Sequence, residues 1–213
     1  MSSIKLKHSG GNAVSLHPPT SAPSSTDVQF KLPTADGTAG QVLKTDGSGN
    51  LSWVSPGGIT EADIFRLTVD LSLSQNSATD IATNWERPDG SNDGFGTLGS
   101  GMSFSGAIWT FPSTGYYLVR LNGAVYANGS TATTRFQIHA TENNSTYGMQ
   151  SQQHTSAQNG YFGSANVEAL IDVTNTSNVK VKFVVTAEGN NQIIASNSAH
   201  SLTYVTFIRL GDT

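Results

Sequence analysis

No cysteine occurs anywhere in the 213 residues. A disulfide framework and a thiolate zinc site are therefore both excluded. Charge is scarce as well. Asp, Glu, Lys and Arg make up 12% of the chain, against roughly 25% in ordinary soluble domains. The formal net charge is −4, and Lys5 and Lys7 form the one tight basic pair near the N-terminus. A pair is not the stripe that phosphate neutralisation needs, so no nucleic-acid partner is expected. No apolar run approaches the length of a membrane span, and no membrane insertion is expected. The first residues, MSSIKLKHSGG, carry no apolar core of a secretory signal, so the product is expected to fold first in a cytoplasm. No segment has a convincing helical period.

What is present is glycine (22 residues), hydroxyls and amides, with 36% hydrophobic residues. A surface of neutral polar groups with many turn formers suits an all-β protein. Residues 1–35 are broken by Gly10-Gly11, Pro18-Pro19, Pro23 and Pro33. Between the breaks lie short pieces with period two, which alone cannot offset the entropy of ordering. This segment reads as either a disordered leader or an extended arm that orders against a partner. Its apolar positions Ile4, Leu6, Val14, Leu16, Phe30 and Leu32 are the candidate anchors.

Gln41–Thr45 and Leu51–Val54 flank the turn sequence Asp46-Gly47-Ser48-Gly49-Asn50, the pattern of a β-hairpin. A lone hairpin is marginal in water. Val42, Leu43, Leu51, Trp53 and Val54 would stay wet in a single molecule, so burial against identical chains is expected. From Ile64 onward the pattern is nearly pure β. Tyr117, Val119, Leu121 and Val125 alternate with polar or outward positions, as do Phe136 and Ile138, Val167 to Val173, and Val179 to Val185. Many strands with Gly/Asn/Ser turns predict a sandwich or barrel. Two runs are apolar on both faces, Gly115–Ala127 and Ser201–Leu210. One face is expected in the sandwich and the other against another subunit, which adds Tyr116, Tyr204, Val205 and Phe207 to the candidate interface.

Chemistry-bearing motifs are few. Gly94–Gly99 matches G-x-G-x-x-G, but a β-type run follows it where a dinucleotide site needs a helix, so it reads as a loop. Asp89 and Asp93 sit in the first half of a calcium-loop pattern whose twelfth position is Ser100, not glutamate. They are weak calcium candidates, and no metal or other cofactor is expected. No nucleophile elbow and no helical histidine pair exists, so the chain is not read as an enzyme. The segments Tyr147–Gly160 and Glu188–Asn197 read as long amide-rich loops. Neutral hydrogen-bonding groups suit sugar recognition, which makes Tyr147, Gln150, Gln152, Gln153, His154 and Asn159 candidate ligand contacts.

Residues 32–55, LPTADGTAGQVLKTDGSGNLSWVS, resemble a recurrent segment of tailed-bacteriophage fibre proteins, especially from phages of marine bacteria and cyanobacteria. The string is a Gly-Gln-Val-Leu start, an Asp-Gly turn and a Leu-x-Trp finish. Trp109 to Ala127 (WTFPSTGYYLVRLNGAVYA) and the closing TYVTFIRLGDT resemble the trimeric jelly roll of the complement-head and tumour-necrosis-factor type. The resemblance implies a ten-stranded head, trimeric about an axis. It departs from the vertebrate pattern in having no cysteine and no collagen stalk. The expectation is a homotrimeric virion-surface protein, assembled in the host cytoplasm. Residues 1–35 form an arm bound to a capsid or tail protein, 36–60 a β-hairpin neck, and 61–213 a jelly-roll head. The head would bind a host surface, for instance a glycan. The rival readings are a capsid decoration or cement trimer, a polysaccharide depolymerase, and a secreted adhesion module.

Overall fold

The computed structural model describes residues 4–24, 27–88, 96–129 and 131–213. In chain order its strands are β1 (Ile4–Lys7), β2 (Ala13–Leu16), β3 (Val42–Thr45), β4 (Leu51–Val54), β5 (Ala62–Leu67), β6 (Leu71–Ser72), β7 (Ala78–Asp80), β8 (Trp85–Glu86) and β9 (Ser103–Ser105). There follow β10 (Ile108–Thr110), β11 (Gly115–Ala127), β12 (Ala132–Thr141), β13 (Gly148–Ala157), β14 (Phe162–Val173), β15 (Lys180–Ala187), β16 (Gln192–Ile194) and β17 (Tyr204–Gly211). No described residue is helical. The chain divides into two compact units, residues 1–57 and 58–213.

The first unit holds two hairpins. In β1–β2, Ile4 faces Leu16 and Leu6 faces Val14, so strand alternation puts all four aliphatic side chains on one face. The His8–Asn12 turn is closed by the His8 amide on the Asn12 carbonyl at 2.8 Å. In β3–β4 the register pairs Leu43 with Trp53 and Val42 with Val54. The predicted turn is built by Asp46, whose Oδ1 accepts from the amides of Ser48 at 2.8 Å and Asn50 at 3.1 Å. These bonds, led by the Asn50 side chain, hold the Asp46 carboxyl below its ordinary value. Residue 31 joins this hairpin. Its amide donates to the Gly49 carbonyl at 2.8 Å, and its carbonyl accepts from the Leu51 amide at 2.9 Å. The end of the arm is thus part of the hairpin's own fold.

Trp53 is exposed in the lone chain, as expected, but its indole has partners within the arm. Its Nε1 donates to the Ala35 carbonyl at 3.0 Å, and its ring lies on Gly37, where any Cβ would stand 2.6 Å from the indole. Only glycine permits that approach. The ring is 37% exposed, half-covered by its own arm. Even so, no described residue between 4 and 57 is buried.

The second unit is a two-sheet sandwich. One sheet runs β13-β12-β15-β10-β9, with β7 on β15. The other runs β6-β16-β11-β17-β5-β8, with β14 on β11. Among the described residues of this unit thirteen strands stand where the resemblance implied ten. The long pairs are antiparallel, and the alternating apolar residues meet between the sheets. Trp109 is fully buried at the centre. Phe104, Phe65 and Phe207 lie 4.6, 4.8 and 5.2 Å from it between ring centroids. Aromatic contacts of this kind add about 0.5–1.5 kcal/mol each beyond area burial.

Two ionic clamps hold the 96–102 segment against β5. Asp63, buried, takes a forked pair from Arg87 at 2.9 and 2.8 Å and the Met102 amide at 2.6 Å. Arg87 also lies over the Phe65 ring. Glu61 accepts the amides of Ser100 and Gly101 at 2.8 and 3.1 Å. Two sequence expectations fail here. Val205 and Phe207 are not at an outer surface. They pair with Leu121 and Val119 and face inward, at 0% and 1% exposure. The segment Tyr147–Gly160 is not a loop, because Gly148–Ala157 is the ten-residue strand β13. Its backbone is satisfied by β12, so its side chains need not be apolar. Glu188–Asn197 likewise contains β16.

Candidate functional site

The outer face of the seven-stranded sheet carries apolar side chains that the sandwich does not use. Register puts Leu118 between Leu170 of β14 and Ile208 of β17, and puts Tyr126 beside Phe162. Tyr126 and Phe162 meet edge-on at 5.6 Å. Phe162 is 66% exposed, Leu170 61% and Leu210 53%. Tyr116 lies at one end of this face, opposite Asp172 and Gly211, and Tyr204 pairs with Asn122 near the middle. A polar belt divides the face, where Arg120 Nε meets Glu168 Oε2 at 2.9 Å and Asn122 faces Asn166. Both members of that ion pair are well exposed, so it is worth under about 1 kcal/mol. Of the residues expected at an interface, Tyr116 and Tyr204 are on this face, while Val205 and Phe207 are beneath it. Leu118 and Ile208 share the parity of Tyr116 and Tyr204 on their strands, while Phe162 and Leu170 were not anticipated, although the outward parity of β14 gives both.

At one margin of this face Asp70 ties two loops together. Its Oδ2 accepts from the Tyr126 hydroxyl at 2.9 Å, and its Oδ1 from the Ser196 amide and hydroxyl at 2.8 Å each. Burial pushes its carboxyl up, but the Ser196 and Tyr126 bonds outweigh that and leave it below the ordinary value. The same bond from Tyr126 to the Asp70 carboxylate, with burial and Coulomb repulsion, raises the phenol.

The outer face of the six-stranded sheet is polar. Gln152 Oε1 accepts from Gln137 Nε2 at 3.2 Å, and Gln137 Oε1 lies 3.1 Å from His139 Nε2. Lys182 pairs with Asp80 at 3.1 Å and lies 5.3 Å from the Tyr147 ring centre. Burial and then the Lys182 charge lower the His139 imidazole. Burial and the Asp80 charge raise the Tyr147 phenol. The structure therefore brings Tyr147, Gln152 and His154 to one face, His154 opposite Arg135. Gln153 pairs with the buried Phe136 and takes the other side of β13. Asn159 stands apart, in a bridge to Ala127. Gln150 lines a different feature, an open cleft of about 530 Å³ between the 141–147 turn and the end of β14. Among the described residues neither bonded histidine ring touches a hydroxyl, His8 accepting from the Gly10 amide and His139 meeting Gln137. The calcium candidates Asp89 and Asp93 lie outside the described residues.

In the first unit, ten large apolar side chains are exposed: Ile4, Leu6, Val14, Leu16, Val28, Phe30, Leu32, Val42, Leu43 and Trp53. All six expected anchor residues are among them, at 66–73% exposure. A cleft of about 350 Å³ runs between Leu32–Asp36 and the Leu43–Trp53 pair.

No protein-family model matches the chain, and no curated protein matches it. Solved structures do. The crystal structure of murine APRIL at pH 5.0 aligns with a TM-score of 0.51 at 13% identity, over 70% of this chain and 98% of that one. The PRD1 vertex protein P5 aligns at 0.46 with 16% identity, over 73% and 100%. Eiger TNF from S. frugiperda aligns at 0.45 with 12% identity, over 73% and 96%. The likeness to murine APRIL is one of fold: the chain carries a tumour-necrosis-factor-like jelly-roll sandwich.

Proposed function

We propose that the chain is a virion-surface protein of a tailed bacteriophage, a homotrimeric fibre or spike. Residues 1–35 attach it to a capsid or tail protein, the 40–55 hairpins of three chains share a neck, and the jelly-roll head faces outward to a host surface. The observation that carries the reading is the first unit. It has ordered hairpins, ten exposed large apolar side chains and no buried described residue. Covering such side chains is worth on the order of 1–2 kcal/mol each, and a lone chain forgoes it. The one-sided ladder of Ile4, Leu16, Leu6 and Val14 is the natural contact with the particle. Val42, Leu43 and Trp53 are the natural contacts between chains.

The trimer is supported by the exposed apolar face of β14, β11 and β17, which gives the head a surface to bury against its copies. Mechanism is then binding. Three identical heads on one axis let weak contacts add through effective concentration. The phage assignment rests on the resemblance of residues 32–55 to fibre segments. Two experiments test the reading. Sedimentation equilibrium of the purified protein is expected to give three chains; a stable monomer at micromolar concentration refutes the trimer. Labelling of intact particles with antibody to the head is expected to mark the tail or vertices. Copies spread evenly over capsid sites with no effect on adsorption would instead make it a cement trimer.

A further inference from the structure

We propose that the cleft of about 350 Å³ beside Trp53 receives the opposite face of the β3–β4 hairpin of a second copy of this chain, head to tail, so that three chains close a ring. This deepens the trimeric-neck reading and rests on it. It names which surface of one hairpin meets which surface of the next.

The two faces of the hairpin differ. Register pairs Leu43 with Trp53 and Val42 with Val54, and strand alternation puts the two pairs on opposite faces. The arm lies over the first pair. Between them runs the cleft, with Leu32, Pro33, Ala35, Leu43 and Trp53 as its apolar wall and Asp36 as its one charged side chain. The second face is an aliphatic ridge. Val42, 47% exposed, and Val54 begin it, and Lys44 opposite Ser52 continues it along the strands. In a single chain both the hollow and the ridge stay wet. The hollow is at the small end of ligand-site sizes, which gives room for a few side chains of one strand and none for a folded domain.

Charge sets the direction of the contact. Asp36 and Lys44 are both exposed, and neither makes an ion pair with a described residue. Cleft against cleft would bring Asp36 against its own copy, and ridge against ridge would do the same for Lys44. Ridge into cleft brings Lys44 of one chain to Asp36 of the next. Like charges across a contact are costly, and opposite ones fix its register. A two-fold contact is therefore disfavoured. A head-to-tail contact fills one cleft and seats one ridge per chain, and a rotation of a third of a turn closes it with none left over.

The cleft is shaped before a neighbour arrives. Trp53 Nε1 donates to the Ala35 carbonyl at 3.0 Å, and the ring takes the space over Gly37 that a Cβ would need. Residue 31 is tied to Gly49 and Leu51 through both its backbone groups. Little of this wall has to be ordered on assembly, which lowers the cost of association.

The chain has no cysteine, so introduced thiols report alone. Asp36→Cys, Lys44→Cys and the Asp36→Cys/Lys44→Cys variant of the full chain are treated with a short bismaleimide and run on denaturing gels. The double variant is expected to give linked species up to three chains and no further, while each single variant stays unlinked. Linked pairs in a single variant, no links in the double variant, or a ladder beyond three chains each overturns the proposal. A second measurement uses charge exchange. Asp36→Lys and Lys44→Asp are each expected to raise the trimer dissociation constant about tenfold, three modest contacts acting together, and the combined exchange to return it to within about twofold of the wild type. Absence of that rescue also overturns it. Sedimentation of the unaltered protein separates this contact from the reading it rests on. Three chains without the expected links sink the cleft contact alone, whereas single chains at micromolar concentration sink both.

Discussion

Gly123 offers the sharpest test of how the two sheets are packed. It lies in β11 opposite Ala165, and a Cβ built on it would stand 2.0 Å from Phe136 Cε1, 2.3 Å from Cδ1 and 2.5 Å from Cζ. Phe136 belongs to β12 in the other sheet and is fully buried. An ordinary contact begins at 3.4 Å, so Gly123→Ala requires the ring to retreat by 3.4 − 2.0 = 1.4 Å into a filled core. Overpacking of that kind costs about 3 kcal/mol. The loss of unfolded-state freedom on replacing glycine returns about 0.5–1 kcal/mol. The net expectation is a destabilisation of about 2 kcal/mol. Phe136→Leu alone is expected to cost about 1–2 kcal/mol through lost burial. Combined, the two should couple favourably by about 1 kcal/mol or more, because leucine vacates the space the new methyl needs. Urea unfolding followed by tryptophan fluorescence reads all four proteins, at several concentrations because association is linked to folding. A Gly123→Ala midpoint within error of the wild type, or strictly additive variants, would show that the close approach is not what limits this position.

Five further outcomes are expected. Ile208→Asp places a charge beside Leu118 on the outer face of the seven-stranded sheet; the head should stay folded by circular dichroism while sedimentation shifts from three chains to one. Leu6→Asp with Val14→Asp, a facing pair in β1–β2, should abolish incorporation into particles without changing the head's melting temperature. Trp53→Phe keeps a ring over Gly37 but removes the bond to Ala35, at a cost of about 1 kcal/mol read as a lower dissociation midpoint of the assembled protein. For pH, the Asp70 carboxyl is lowered in the fold, so its contribution is present at neutral pH and is lost as pH falls below about 4; Asp70→Asn should flatten that limb. His139 is lowered too, so the unfolded chain takes up its proton first and stability declines as pH drops through about 6.5, a step that His139→Gln should remove.

The strands that were legible in the sequence are those in which apolar residues recur at every second position. In β11, β12, β14 and β15 the residues expected inside, such as Val119, Phe136, Val167 and Phe183, are at 0% exposure. The β3–β4 hairpin was legible for another reason, since its turn residues have few conformations open to them. β13 was not, because an edge strand is held by ladder bonds to β12, which leave no trace in side-chain pattern. The closing strand showed apolar residues on both faces, and parity alone does not say which is inside. That is settled by Leu121 and Val119 across the ladder. The partner of Trp53 was invisible because it lies 18 residues earlier, in a stretch with no strand pattern. Of the candidate surfaces, the exposed apolar positions of the first unit could be read from the sequence. The cleft beside Trp53 could not, because residues 32–36 and the Leu43–Trp53 pair are brought together only by the fold.

A segment without an interior keeps its shape only while something leans on it. The described residues of 4–57 form hairpins with nothing dry within them, so in free copies this stretch should be open to proteases while the sandwich resists digestion. On the proposed fibre reading, cleavage there would separate a durable head from its attachment. On that reading, the amount of clipped head in an infected culture reports how many subunits failed to find a seat.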